Sequence, residues 1–283
     1  MCDPGQSFET IVPQRAGTCP ILLNAIFALS ARHRSHISDY DPLASNRYHE
    51  ECLKYLIPVL NHEVTVSDEN LFAATIILRV LEEMEGGEAP PPPESLGLPI
   101  VLTLSYLVKN MGMDNHGYLL GIHAFVKGGD QYLRPGTLSA ASFWIGLRQE
   151  IYSAVMNHQP VRINLVHSLV DRSLGPADDY TWANRAVVHC ADALNFCFGT
   201  DSRPAGSKWY ELDDWNKKWT ELVPASFVPI YQKEGSEGSF PEFWYQNSCQ
   251  GTSSSSSPPR ETNALYSCQT VYLLTSLCSI PQS

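Results

Sequence analysis

Three groups of residues have the side chains and spacing to do chemistry. The first is His189, Cys190, Asp192 and Cys197, which lie within one expected helix. His189 and Asp192, three apart, share a helical face. Cys190 and Cys197 are seven apart, so a straight helix separates them by about 10 Å at a rise of about 1.5 Å per residue. A zinc ion needs all its ligands at about 2.0 to 2.3 Å, which that cysteine pair cannot satisfy together. The spacing reads as the small apolar face of a helix, and no metal site is expected. The second group is His49, Glu50, Glu51 and Cys52, where a neighbouring histidine could lower the thiol's pKa. Cys52 falls on the apolar stripe with Tyr48 and Val59, however, and a reduced cysteine there behaves as a small hydrophobe.

The third group is Arg148, Gln149 and Glu150, set among Phe143, Trp144, Leu147 and Ile151. Buried charges need partners, so these side chains either form a structural network against a neighbouring helix or line a pocket that recognises a polar effector. The structural role carries the greater weight, because most buried polar groups are simply satisfied in the core. The candidate effector pocket is Trp144, Arg148 and Tyr152.

Other chemistries lack sequence support. There is no GxGxxG, phosphate-binding loop, GxSxG elbow or HExxH. The eight cysteines, at positions 2, 19, 52, 190, 197, 249, 268 and 278, include no pair separated by two residues, which leaves out close-spaced zinc frameworks. The start, MCDPGQSFETIVPQRAG, has neither a basic region nor an apolar run and is not read as a secretory signal, so the cysteines are expected to be reduced thiols. The longest apolar stretch, residues 96 to 108, is shorter than the roughly 20 residues that span a bilayer, and no membrane anchor is expected. Nineteen basic against 30 acidic side chains give a net charge of -11, which repels phosphate backbones. The densest basic stretch, Arg32, His33, Arg34 and His36, reads as the solvated end of a helix. No nucleic acid binding, cofactor, metal or catalytic residue is expected, and the chain is read as no enzyme.

The elements that position these residues are helical. Thr18 ahead of Cys19 and Pro20 opens an apolar helix, ILLNAIFALSARH, and Asp41–Pro42 opens LASNRYHEECLKYLIPVL, which Pro58 should kink or end. Ser67, followed by Asp68 and Glu69, opens LFAATIILRVLEEMEGG, so three helices are expected before residue 87. Residues 88 to 99 contain four consecutive prolines and cannot be helical throughout. Helical pattern resumes with HGYLLGIHAFVKGGDQYL near His116, then after an Arg134–Pro135–Gly136 turn with SAASFWIGLRQEIYSAVMNHQPV, whose Phe143, Leu147, Ile151 and Val155 recur every four residues. Asp178 and Asp179 introduce YTWANRAVVHCADALNFCFG, and a further helix carries Trp215 and Trp219. Strand-like alternation is scarce and no sheet is expected. The fold class is therefore all-α, an irregular multi-helix bundle with a loop-rich insertion. From Gln250 the composition turns to GTSSSSSPPR, and the tail is expected to be poorly ordered.

The run ASFWIGLRQEIYSAVMNHQPVRINL, preceded by YLLGIHAFV and by LFAATIILRVLEEME, resembles the fungal-specific transcription factor domain, the central regulatory region of zinc binuclear cluster transcription factors. The resemblance covers residues 18 to 85 and 115 to 249, and FWxxLRQEIY at Phe143 to Tyr152 is its most specific part. It implies a domain at residues 18 to 249, an N-terminal extension at 1 to 17 and a low-complexity tail at 250 to 283, with residues 87 to 113 as an insertion. It also implies an all-helical regulator of RNA polymerase II transcription in the nucleus. Its expected partners are transcriptional co-regulators, a full-length family member, or a small-molecule effector. The zinc cluster itself, with paired CxxC spacing among lysines and arginines, is not in this sequence, so zinc and DNA binding are not carried over. Two further readings compete: a helical enzyme using His123, His189 or Glu150 in acid–base roles, and a scaffold that pairs with full-length regulators.

Overall fold

The computed structural model describes residues 3–60, 68–84, 133–199, 205–233 and 242–245. Among these it contains seven α-helices: α1 (Ser7–Ala16), α2 (Pro20–Ile37), α3 (Ala44–Leu60), α4 (Glu69–Met84), α5 (Leu138–Asn157), α6 (Asp179–Phe198) and α7 (Ala205–Leu222). Contacts divide the chain into two compact units, Gly5–Gly146 and Leu147–Ser283 with Met1–Pro4. Helix α5 runs through the boundary.

In the first unit α2 packs along α3 and α4, and α1 packs on α2 and α4. Helix α2 is suited to this because Leu22, Ala25, Ala28 and Ala31 form a buried stripe at three-residue steps, and small side chains let neighbouring backbones approach closely. The closeness is visible in two bonds: Ser45 Oγ donates to the Ala28 carbonyl at 2.8 Å, and Cys52 Sγ to the Ile21 carbonyl at 3.4 Å. Helix α4 is buried almost all round, from Leu71 to Arg79 and at Leu81. Its buried Arg79 is paired with Glu82 and Glu83, at 2.7 and 3.4 Å, which offsets the cost of placing a charge there. Glu69, at the start of α4, accepts from Arg15 of α1 at 2.7 Å and, through its other oxygen, from the Ser139 amide in the first turn of α5 at 3.4 Å.

The turn before α5 needs Gly136, whose φ of 78° lies in the left-handed region. Thr137 then accepts from the Ala140 amide and caps the helix. Phe143, Leu147 and Ile151 are buried, as the four-residue spacing requires, while Val155 is half-buried. In the second unit α6 begins with Asp178, whose carboxylate accepts from the Thr181 amide at 2.7 Å, and ends before Gly199. Helices α6 and α7 pack through tryptophans: Trp182 meets Trp219 edge-on at 6.3 Å, and Trp219 meets Phe227 edge-on at 6.0 Å.

The all-α class holds, with local departures. Among the described residues four helices, not three, precede residue 87. The unexpected one is α1, whose Pro13 lies inside the helix and whose buried face is only Ser7, Val12 and Ala16. The cap of α2 is Cys19 instead of Thr18, whose hydroxyl donates to Arg15 O at the end of α1. The first amides of α4 are met by Asp68, which accepts from Asn70 N and Leu71 N. Pro58 does not stop α3, which continues to Leu60. A short hairpin also forms: β1 (Tyr231–Lys233) pairs antiparallel with β2 (Glu242–Trp244), and Tyr231 faces Trp244 across it with ring centroids 5.4 Å apart. The helix expected at HGYLLGIHAFVKGGDQYL, the prolines of 88 to 99 and the tail from Gln250 lie outside the described residues.

Candidate functional site

Helix α5 carries Trp144, Arg148 and Tyr152 at four-residue steps, which places them along one side of the helix. All three are half-buried, beside the fully buried stripe of Phe143, Leu147 and Ile151. The Trp144 indole stands edge-on to Phe143 at 5.1 Å and 71°. Arg148 donates from Nη2 to Asn184 Oδ1 of α6 at 2.9 Å. This links α5 to α6 through a neutral amide.

Gln149 and Glu150 are buried, at 6% and 3% exposure. Glu150 Oε1 accepts from the Arg162 amide at 2.9 Å. That bond ties α5 to the extended segment after it, in which Val161, Ile163 and Leu165 are buried and Arg162, Asn164 and Val166 exposed. Glu150 therefore fastens α5 to returning backbone at Arg162. This regular in-and-out alternation was a signal the sequence reading passed over, in VRINLV at residues 161 to 166.

The His189 group does not converge on a metal. His189 is buried and stacks on Trp215 of α7, with ring centroids 4.3 Å apart and planes 20° apart. Burial, only partly opposed by the charge of Asp192 and reinforced by Lys208, lowers its pKa to about 4. Asp192 is turned instead to Arg172, which grips both its oxygens at 2.7 and 2.9 Å. Burial pushes the Cys190 thiol up to about 12. Cys197 corrects the expectation that every cysteine is reduced: it is disulfide-bonded. Among the described residues no group of three or more histidine, cysteine, aspartate or glutamate side chains could hold a metal ion.

The Cys52 group shows the opposite of thiol activation. Burial, then the neighbouring Cys19, raises Cys52 to about 12, and burial followed by the charge of Arg32 lowers His49 to about 4. A thiol held protonated is a poor nucleophile. Of the three side chains considered for acid–base roles, His189 is engaged with Trp215 and Glu150 with the Arg162 amide, while His123 lies outside the described residues.

The sequence reading missed a densely bonded polar centre of the second unit, Arg185. It is 4% exposed, lies over the Trp182 ring at 4.8 Å, and reaches Asp171, Ser173 and the Gly175 carbonyl at 2.7 to 2.9 Å. The signal available was a lone arginine on the apolar side of WANRAVV, a position that demands partners.

Among the described residues no helix is long and apolar enough to cross a membrane. No curated protein and no solved structure matches the chain. The family comparison does find a match, and it lies N-terminal to FWxxLRQEIY. Residues 3–89, the stretch that holds α1 to α4, match the family model for the fungal specific transcription factor domain.

Proposed function

We propose that the chain is an effector- or partner-responsive regulatory domain of a fungal transcription factor that acts without a DNA-binding zinc cluster of its own. The observation that carries this reading is the match of residues 3–89 to the fungal specific transcription factor domain, over helices that pack as one unit. Action without direct DNA contact is supported by the net charge of -11 and by a cysteine pattern with no CxxC pair, since phosphate contacts require clustered cations. The responsive surface is the half-buried stripe Trp144, Arg148 and Tyr152 on α5, where Arg148 engages α6. An effector shifts such a contact only if it binds one arrangement more tightly than the other.

The test fuses the full chain to a heterologous DNA-binding domain and measures a reporter in fungal cells. The expected result is output several-fold different from the binding domain alone, with the unfused chain giving no mobility shift on duplex DNA at physiological salt. Output equal to that of the binding domain alone, or a shift by the unfused chain, overturns the reading. A metabolite screen by thermal shift tests responsiveness: stabilisation lost on Arg148→Ala supports the α5 stripe, and stabilisation by nothing in the screen counts against it.

A further inference from the structure

Two reduced thiols meet at the N-terminus of α2. Cys19 holds the cap position of that helix, half-buried, and its side chain makes no capping bond. Thr18 and Pro20 on either side of it are exposed, so small solutes reach this turn. Cys52, in α3, is fully buried, and its Sγ donates to the Ile21 carbonyl at 3.4 Å. Ile21 stands two residues after Cys19, so the buried thiol packs on the same helical turn that Cys19 begins. The nearness registers electrostatically as well: after burial, it is the charge of Cys19 that raises Cys52 further, to about 12.

A thiol that solvent reaches, set beside a buried one, is the arrangement in which the first meets an oxidant and the second closes the product. Burial opposes the Cys52 thiolate, but a disulfide carries no charge and is not penalised in the same place. The surroundings that make Cys52 inert by itself therefore favour the linked form over any thiolate.

We propose that Cys19 and Cys52 form a peroxide-sensitive dithiol, which closes to a disulfide and fastens the turn between α1 and α2 to α3. The Cys19 sulfur attacks one oxygen of hydrogen peroxide; the O–O bond breaks, the thiol proton leaves with the other oxygen as water, and a sulfenic acid remains. The Cys52 sulfur then attacks the Cys19 sulfur; the S–O bond breaks, and the hydroxyl leaves with the Cys52 proton as a second water. Two thiols are oxidised and one peroxide is reduced to two waters. This goes beyond the transcriptional reading and is tested on the purified chain without a reporter. The full chain, freshly reduced, is treated with hydrogen peroxide, blocked with iodoacetamide in urea and digested with trypsin without reductant. Cleavage at Arg15, Arg32, Arg47 and Lys54 leaves each cysteine alone in its peptide, residues 16 to 32 and residues 48 to 54. Mass spectrometry should find these two peptides joined after peroxide and separate again after dithiothreitol. The link should raise the thermal midpoint by about 5 to 10 °C, the scale of a disulfide that closes a loop of this length. Cys52→Ala should leave Cys19 as a sulfenic acid that dimedone traps, with no rise in midpoint. Cys19→Ser, a change at the half-buried position, keeps the test open should the buried variant fail to fold, and it should leave Cys52 reduced under the same peroxide. The proposal is overturned if the two peptides stay separate in the oxidised parent, if Cys19 joins a different cysteine, or if the link forms as readily when the chain is oxidised in urea.

Discussion

Removing Asp171 should destabilise the second unit, and removing its partner Arg185 as well should restore part of the loss. The pair is asymmetric: the Arg185 side chain is 4% exposed and that of Asp171 42%. Arg185→Met surrenders contacts to Asp171, Ser173 and Gly175, all three of which reach solvent and can be rehydrated. At about 0.5 to 1.5 kcal/mol net for each bond, and with Met packing against Trp182 in return, the loss should be about 1 to 3 kcal/mol. Asp171→Ala instead leaves a guanidinium in the interior with two neutral acceptors. Breaking a buried pair from one side costs about 3 to 5 kcal/mol, a figure reduced here because Asp171 is partly exposed, so about 2 to 4 kcal/mol is expected. The double variant should then be about 1 kcal/mol more stable than Asp171→Ala, because the stranded cation is gone. Urea unfolding followed by tryptophan fluorescence, with the denaturant slope unchanged, measures all three. Amide exchange at Ser173 gives a local readout, since its N–H donates to Asp171 Oδ1. Burial alone would raise the Asp171 pKa, but the Ser173 amide and the Arg185 guanidinium outweigh it and hold it below 3.8. The pair's contribution is therefore present above that pH and fades as pH falls through the folded value. A double variant less stable than Asp171→Ala refutes the reasoning.

The remaining predictions concern titration and packing. His189 and His49, both lowered to about 4, bind protons in the unfolded chain before the folded one, so stability should fall as pH drops from 6.5 toward 4. His189→Phe should flatten that slope, and an unchanged slope in pH-dependent unfolding counts against the assignment. Cys52 and Cys190, raised to about 12, should resist iodoacetamide at pH 8 in the native chain and react at once in urea; peptide mass spectrometry reads this, and rapid native labelling refutes it. Glu69→Ala should lower stability by about 1 to 2 kcal/mol through the Arg15 and Ser139 bonds it ends, with faster amide exchange at Ser139; a melting curve equal to the parent's would show that the link contributes nothing.

Much of the fold was legible because helical periodicity and end signals agree. Asp178, two acidic residues from an apolar run and with Gly199 at the far end, marked α6 to within a residue. Gly136 marked the turn that starts α5. Helix α1 was not legible: its buried face is three small residues and its interior holds a proline, so periodicity and propensity both argued against it, and packing on α2 and α4 decides. The hairpin was hidden for a related reason. Strands of three residues are too short to show alternation, and what marks this one is a cross-strand Tyr231–Trp244 pair that spacing alone cannot reveal.

For the candidate site, the chemical nature of each residue was readable and its partner was not. Arg148, Gln149 and Glu150 stood out because charges in an apolar helix must be met by something, and that inference needs only one helix. Which group meets them depends on residues 12 positions away for Glu150 and 36 for Arg148, and no local rule gives those pairings. The same gap explains Arg185, where a single arginine carried too little weight next to a three-residue polar run. The family match sharpens the point. It falls on α1 to α4, the tightly packed helices rich in buried alanine and aliphatic residues, while FWxxLRQEIY lies beyond it. Text that reads as distinctive because it mixes tryptophan, arginine and glutamate is distinctive through its partners in space.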